Sequence, residues 1–155
     1  MPKPIAIRAA EAAARTRPPA YPAVFHAKTG ARIKRPLGDL FGLKNFGVNL
    51  TTLAPGARSA LQHRHSAQDE FIYILSGEAV LVTGDAETVL GPGMCAGFPA
   101  GEGSHHLENR TAEPVDYIEV GDRSEGDRVD YPHDDLVATM QDGQRVFTKK
   151  DGTPW

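Results

Sequence analysis

His63 and His65 stand on alternate positions within GARSALQHRHSAQDEFIYILSG (residues 56–77), and two acidic residues, Asp69 and Glu70, follow them. In an extended strand, residues i and i+2 point to one face, so the two rings address one point and Arg64 points away. A pair of neutral imidazoles joined by a carboxylate is, in outline, a first-row transition-metal site. Periodicity does not choose the carboxylate. If the strand begins there, Glu70, Ile72 and Ile74 share one face and Asp69, Phe71, Tyr73 and Leu75 the other, and FIYIL is apolar on both, as in a doubly buried strand. A further donor lies about forty residues on, in GMCAGFPAGEGSHHLEN. There His105, Leu107 and Asn109 share a face, and His106 and Glu108 share the other. The apolar Leu107 belongs inside, which makes His105 the inward ring, with His106 as the alternative. Four of the six histidines fall in these two segments, which argues against rings that merely face solvent.

Short strands must position these groups. Sixteen glycines and twelve prolines punctuate the chain too often for long helices. From Phe46 onwards the runs FGVNLTTL, EFIYILSG, EAVLVTG, ETVLGPG, MCAGFP, SHHLENR and PVDYIEVGDR recur at intervals of about 8–12 residues, the pattern of an all-β sandwich or barrel. Ser76-Gly77 reads as a hairpin turn between two of them. Three regions are expected: an N-terminal arm (1–23), a barrel (24–121) and a C-terminal extension packing on the barrel (122–155). The arm's Ile5–Arg15 is rich in helix formers, and Pro18-Pro19 forbids continuation. The extension reads as a solvated acidic surface, since nine acids stand against two arginines between Glu113 and Asp135. Arg145–Thr148 could add one strand there, and Trp155 reads as a packing anchor. Cys95, among small residues, reads as a buried apolar group.

The two segments resemble the paired motifs of the cupin superfamily. Gly56, His63, His65, Glu70 and Gly77 follow the first motif with one extra residue before His63; Gly93, Pro99, Gly101, His105 and Asn109 follow the second with one extra residue before His105. The resemblance implies a cupin jelly-roll (double-stranded β-helix) barrel. It also selects Glu70 over Asp69 and implies the ligand set His63, His65, Glu70 and His105, with His106 and Asn109 behind it. One divalent transition metal is implied, Fe(II) first, then Mn(II), Zn(II) or Ni(II), with one or two coordination positions left open. The flanks are similar to small single-domain bacterial cupins that carry a sugar phosphate isomerase-like label, and such proteins commonly form homodimers.

An oxygenase-type oxidoreductase acting on a small organic molecule is the expected function. The alternatives are a sugar phosphate isomerase-like enzyme or lyase, in which Glu70 or a nearby base moves a proton, and a metal-dependent binding module without turnover. Candidate substrate contacts are Gln68, Tyr73 and Tyr117, with Arg58 and Arg110 bracketing the motifs as grips for an anion. No Lys/Arg cluster lies near the motifs in sequence, which counts against a phosphate. Residues 1–35 hold eight Lys/Arg and one acid on a chain of net charge −3, but the cations are dispersed and no nucleic-acid motif accompanies them. No apolar run approaches a membrane span, and a single cysteine suits a reducing cytoplasm.

Overall fold

A computed structural model describes residues 2–15 and 20–155, and the alternating runs form strands throughout. In chain order these are β1 (Arg32–Pro36), β2 (Phe46–Leu53), β3 (Arg64–His65), β4 (Glu70–Ser76), β5 (Ala79–Thr83) and β6 (Ala86–Leu90). They continue as β7 (Cys95–Phe98), β8 (His105–Glu108), β9 (Val115–Asp122), β10 (Arg128–Tyr131), β11 (Leu136–Gln141) and β12 (Gln144–Thr148). One wall is a five-stranded antiparallel sheet, ordered β1-β2-β9-β4-β7. The other consists of a three-stranded sheet, β6-β5-β8, and a four-stranded sheet, β12-β11-β10-β3. A two-way backbone bridge joins them: His63 N–H donates to the His105 carbonyl at 3.2 Å, and His105 N–H to the His63 carbonyl at 2.9 Å. The result is the expected all-β jelly roll.

The core lies between the walls. Leu53, Ile72, Ile74, Val115 and Tyr117 from the five-stranded sheet meet Leu81, Leu90 and Leu107 from the three-stranded one. A second cluster, Phe25, Leu61, Val129, Tyr131, Leu136 and Ala138, fills the space under the four-stranded sheet. Trp155 packs edge-on against Phe25 with ring centroids 5.1 Å apart and donates its indole N–H to the Asp135 carbonyl at 2.8 Å.

Several expectations are corrected. The β4 strand is not buried on both faces: Ile72 and Ile74 are 6% and 0% exposed, whereas Phe71, Tyr73 and Leu75 are 42%, 40% and 46% exposed. Cys95 pairs with Tyr73 on that outer face and is exposed as well. Within Ile5–Arg15, Ala9–Glu11 forms a single 3₁₀ turn and no longer helix, because Ile5 and Ile7 find no core to pack on and an isolated short helix is marginal; Pro18 and Pro19 lie outside the described residues. The tail is more regular than its charge suggests, since β10, β11 and β12 occupy most of residues 128–148. Their inward positions carry Val129, Tyr131, Leu136 and Ala138, while the acids stay outside. Asp142-Gly143 turns β11 into β12 with φ of 51° and 75°, the two positive values of a tight hairpin, and this dipeptide was the readable signal.

Ser76-Gly77 does not close a hairpin, because β4 and β5 belong to different sheets. It carries the chain from one wall to the other, with Gly77 at φ +78° and its missing Cβ directed 2.5 Å from the Pro114 carbonyl oxygen. Gly56 has a similar φ of +77° but open space around it. Gly56→Ala should therefore cost only backbone strain, about 1–2 kcal/mol. Gly77→Ala adds the clash and should cost about 3 kcal/mol or more. Urea unfolding midpoints of the two variants measure this; equal losses would show that the close approach at Gly77 carries no energy.

Candidate metal centre

The alternation that builds the core also aims the polar groups. On β4, Glu70 shares the inward face of Ile72 and Ile74; on β8, His105 shares that of Leu107. β3 is only two residues long, and its partner β10 sets its register through Val129↔His65 and Asp130↔Arg64. Arg64 accordingly points outward and pairs with Asp130.

His63, Glu70 and His105 form the tight group, each offering a donor atom within 4.8 Å of the others. Glu70 Oε2 stands 2.8 Å from His105 Nε2 and 3.3 Å from His63 Nε2. The other oxygen, Oε1, stands 3.4 Å from His65 Nε2. Adjacent donors around an octahedral ion with bonds of about 2.1 Å are about 3.0 Å apart, so these separations suit a shared first-row cation. Tautomers argue the same way. His63 Nδ1–H donates to the Leu61 carbonyl at 2.8 Å and His65 Nδ1–H to Asp127 Oδ2 at 2.6 Å. Each neutral ring then presents a lone pair on Nε2 to a carboxylate oxygen, an arrangement that requires a proton or a metal ion between them. The residues present fit the metal.

Burial raises the Glu70 pKa, but the facing rings of His105, His63 and His65 outweigh it and hold the carboxyl ionised, well below the usual range. Burial lowers the pKa of His105, which favours the neutral, ligand-competent ring. Burial works the same way on His65, but Glu70 and Asp127 outweigh it and raise the pKa. Phe98 stacks on His105 with centroids 3.5 Å apart and the planes 2° from parallel, fixing the ring's orientation.

Other expected site residues divide. Tyr117 and Gln68 line the same cavity, of about 290 Å³, as the histidines. Tyr117 is 1% exposed and its hydroxyl has no hydrogen-bond partner, while Gln68 donates to the Ser124 carbonyl at 2.9 Å. Tyr73 is corrected to the outer face of β4. Arg58 and Arg110 are not grips at the mouth. Glu108, on the outward face of β8, pairs with Arg58 at 3.2 Å and Arg110 at 2.8 Å, and Arg110 also binds Glu87 through both carboxylate oxygens. His106 shares that outward face, buried and hydrogen-bonded to Glu108 at 2.9 Å. Asn109 holds its own loop: its amide donates to the Leu53 and Glu113 carbonyls, and its oxygen accepts from Thr111.

Sequence reasoning missed Asp127, Phe98 and a set of cations. Arg15, Arg32, Lys34 and Arg145 all line the cavity, alongside Tyr21 and Tyr131. A cluster absent near the motifs in sequence is thus assembled in space, from the arm, β1 and β12. Alternation along β1 and β12, which pairs Arg32 with Lys34 and Arg145 with Phe147, was the available signal, but only the fold brings the two strands to one cavity.

A jelly roll with histidines and a carboxylate from both walls converging on its interior defines a cupin, with a group that could hold a metal ion. Residues 49–121 match the family described as Cupin domain. A sugar phosphate isomerase from a cupin superfamily, from Silicibacter pomeroyi, is 40% identical, with 88% of this chain and 87% of that one covered and a TM-score of 0.83. A protein from Acidithiobacillus ferrooxidans, provisionally named a sugar phosphate isomerase, is 28% identical over 80% of each chain, with a TM-score of 0.73. The polyketide cyclase RemF from Streptomyces resistomycificus shares the fold at 20% identity and a TM-score of 0.62, covering 76% of this chain and 78% of its own. Nothing among curated proteins matches. This chain belongs to the cupin superfamily.

Asp127 accepts from both His65 Nδ1 and the Ala67 N–H, so it orients the His65 ring. Asp127→Ala should weaken metal affinity by about 10–100-fold with the fold intact, as measured by chelator competition. Unchanged affinity would mean that His65 needs no orienting partner or is not a ligand.

Proposed function

We propose that this chain is a metal-dependent enzyme that converts a small anionic molecule by an isomerase- or lyase-type reaction. One observation carries the reading: a single cavity is lined both by the proposed ligands His63, His65, Glu70 and His105 and by the cations Arg15, Arg32, Lys34 and Arg145. The 40% identity to a protein named sugar phosphate isomerase supports the same class. A bound divalent ion would supply Lewis-acid polarisation of a substrate oxygen, with Fe(II) the first choice and Mn(II), Zn(II) or Ni(II) behind it.

The chain's own residues supply the rest. Burial keeps the Tyr117 hydroxyl protonated, well above the usual tyrosine range, so it can donate to a substrate oxygen. Glu119, on the same inward face of β9 and paired with Lys34, is the cavity carboxylate nearest in sequence to Tyr117 and the candidate proton acceptor when Glu70 is engaged as a ligand. Isomerisation moves a hydrogen between neighbouring carbons and needs no external oxidant.

An oxygenase-type oxidoreductase is the second reading, favoured by three imidazoles and one carboxylate with positions left open. A binding module without turnover comes third. Homodimer formation and a cytoplasmic setting belong to the same proposal by family likeness. The test is to assay the metal-loaded protein against phosphorylated and carboxylated sugars with and without oxygen, following products by NMR. Turnover at equal rates in both atmospheres is expected. Turnover that consumes oxygen in step with substrate would replace the isomerase reading with the oxygenase one.

A further inference from the structure

Five basic and three acidic side chains line the central cavity, an excess of two positive charges in a chain whose net charge is −3. Two of the basic groups are committed, Lys34 to Glu119 and Arg123 to Asp39. Arg15, Arg32 and Arg145 form no ion pair with any described carboxylate. Each reaches the cavity by a different route. The Arg15 backbone N–H donates to the Lys34 carbonyl at 2.8 Å, which docks the end of the arm beside β1. Arg32 is braced on the Ser59 carbonyl through one guanidinium nitrogen, leaving most of its five N–H donors for a ligand. Arg145 shares a face of β12 with Phe147, whose ring packs on Tyr21 at 5.8 Å, and Tyr21 packs in turn on Tyr131. Arg32, Arg145 and Tyr21 line the same cavity.

A second observation points to a ligand. Tyr117 is buried, unpartnered at its hydroxyl, and lines the same cavity as Arg32 and Glu70. A buried hydroxyl without a partner is costly unless a bound molecule supplies one.

We propose that Arg15, Arg32 and Arg145 form an anion subsite that grips the phosphate of a small phosphate monoester, while the rest of that molecule runs past Tyr117 towards the Glu70 centre. Three separate guanidinium groups suit a tetrahedral dianion with three free oxygens better than a planar carboxylate, which one bidentate arginine satisfies. The inference deepens the proposed function and rests on it for the remainder of the substrate, but phosphate capture itself requires neither metal nor turnover.

Calorimetric titration of the full chain with glycerol phosphate and with succinate, in chelator-treated and metal-loaded forms, tests this. Glycerol phosphate should bind both forms, and succinate at least about tenfold more weakly. Arg145→Ala and Arg32→Ala should each weaken glycerol phosphate by about tenfold or more, and Arg145→Lys by less. Metal content and melting temperature of the Arg145 variants should stay unchanged. Binding that needs the metal and ignores Arg145 would place the anion on the ion and overturn the proposal, as would equal binding of succinate. Phosphate capture without turnover of any substrate would leave the subsite standing and defeat only the isomerase reading.

Discussion

A carboxylate on one wall has to meet three imidazoles that arrive on the other, and the rest of the molecule is arranged around that meeting. Glu70 comes from the five-stranded sheet; His63, His65 and His105 come from the seam between the two smaller sheets. The seam is itself a backbone bridge between His63 and His105, so the pairing that joins the second wall also sets two rings side by side, their centroids 4.7 Å apart. Strand periodicity makes the arrangement unforgiving. A one-residue slip would replace the inward groups by Arg64, Asp69 or His106. Because β3 is so short, its register depends on β10, which makes the tail a part of the site and not an appendage.

Charge follows the same geometry. Asp130 of the tail and Glu108 of β8 are spent on the outside, where Asp130 pairs with Arg64 and Glu108 gathers Arg58 and Arg110. Inside, the cations outnumber the acids, so an acidic protein presents an electropositive cavity. Low-dielectric walls strengthen such a field and favour capture of an anion over release.

Local spacing was legible wherever both partners of a contact lie within one strand. Alternation placed His63 with His65, Glu70 with Ile72 and His105 with Leu107, and short runs between turns announced an all-β fold. What depended on topology was not legible. Arg58 and Arg110 bracket the motifs in sequence, yet Glu108 draws both away from the cavity. Arg15, Arg32 and Arg145 are far apart in sequence and meet only because the arm, β1 and β12 close on one space. Ser76-Gly77 has the composition of a hairpin turn, and only the assignment of β4 and β5 to separate sheets shows it to be a crossing between walls. Tail strands were hidden by their acids, although Asp142-Gly143 carried a hairpin signal.

We propose that His63, His65, Glu70 and His105 hold one divalent metal between the two walls. Elemental analysis of the untagged protein, purified without added metal and compared with His63→Ala, Glu70→Ala and His105→Ala, tests it most directly. Close to one equivalent of a first-row metal is expected in the native chain, and its loss in all three variants, with the fold retained. Native protein that stays metal-free after reconstitution, or variants that keep a full equivalent, would contradict it.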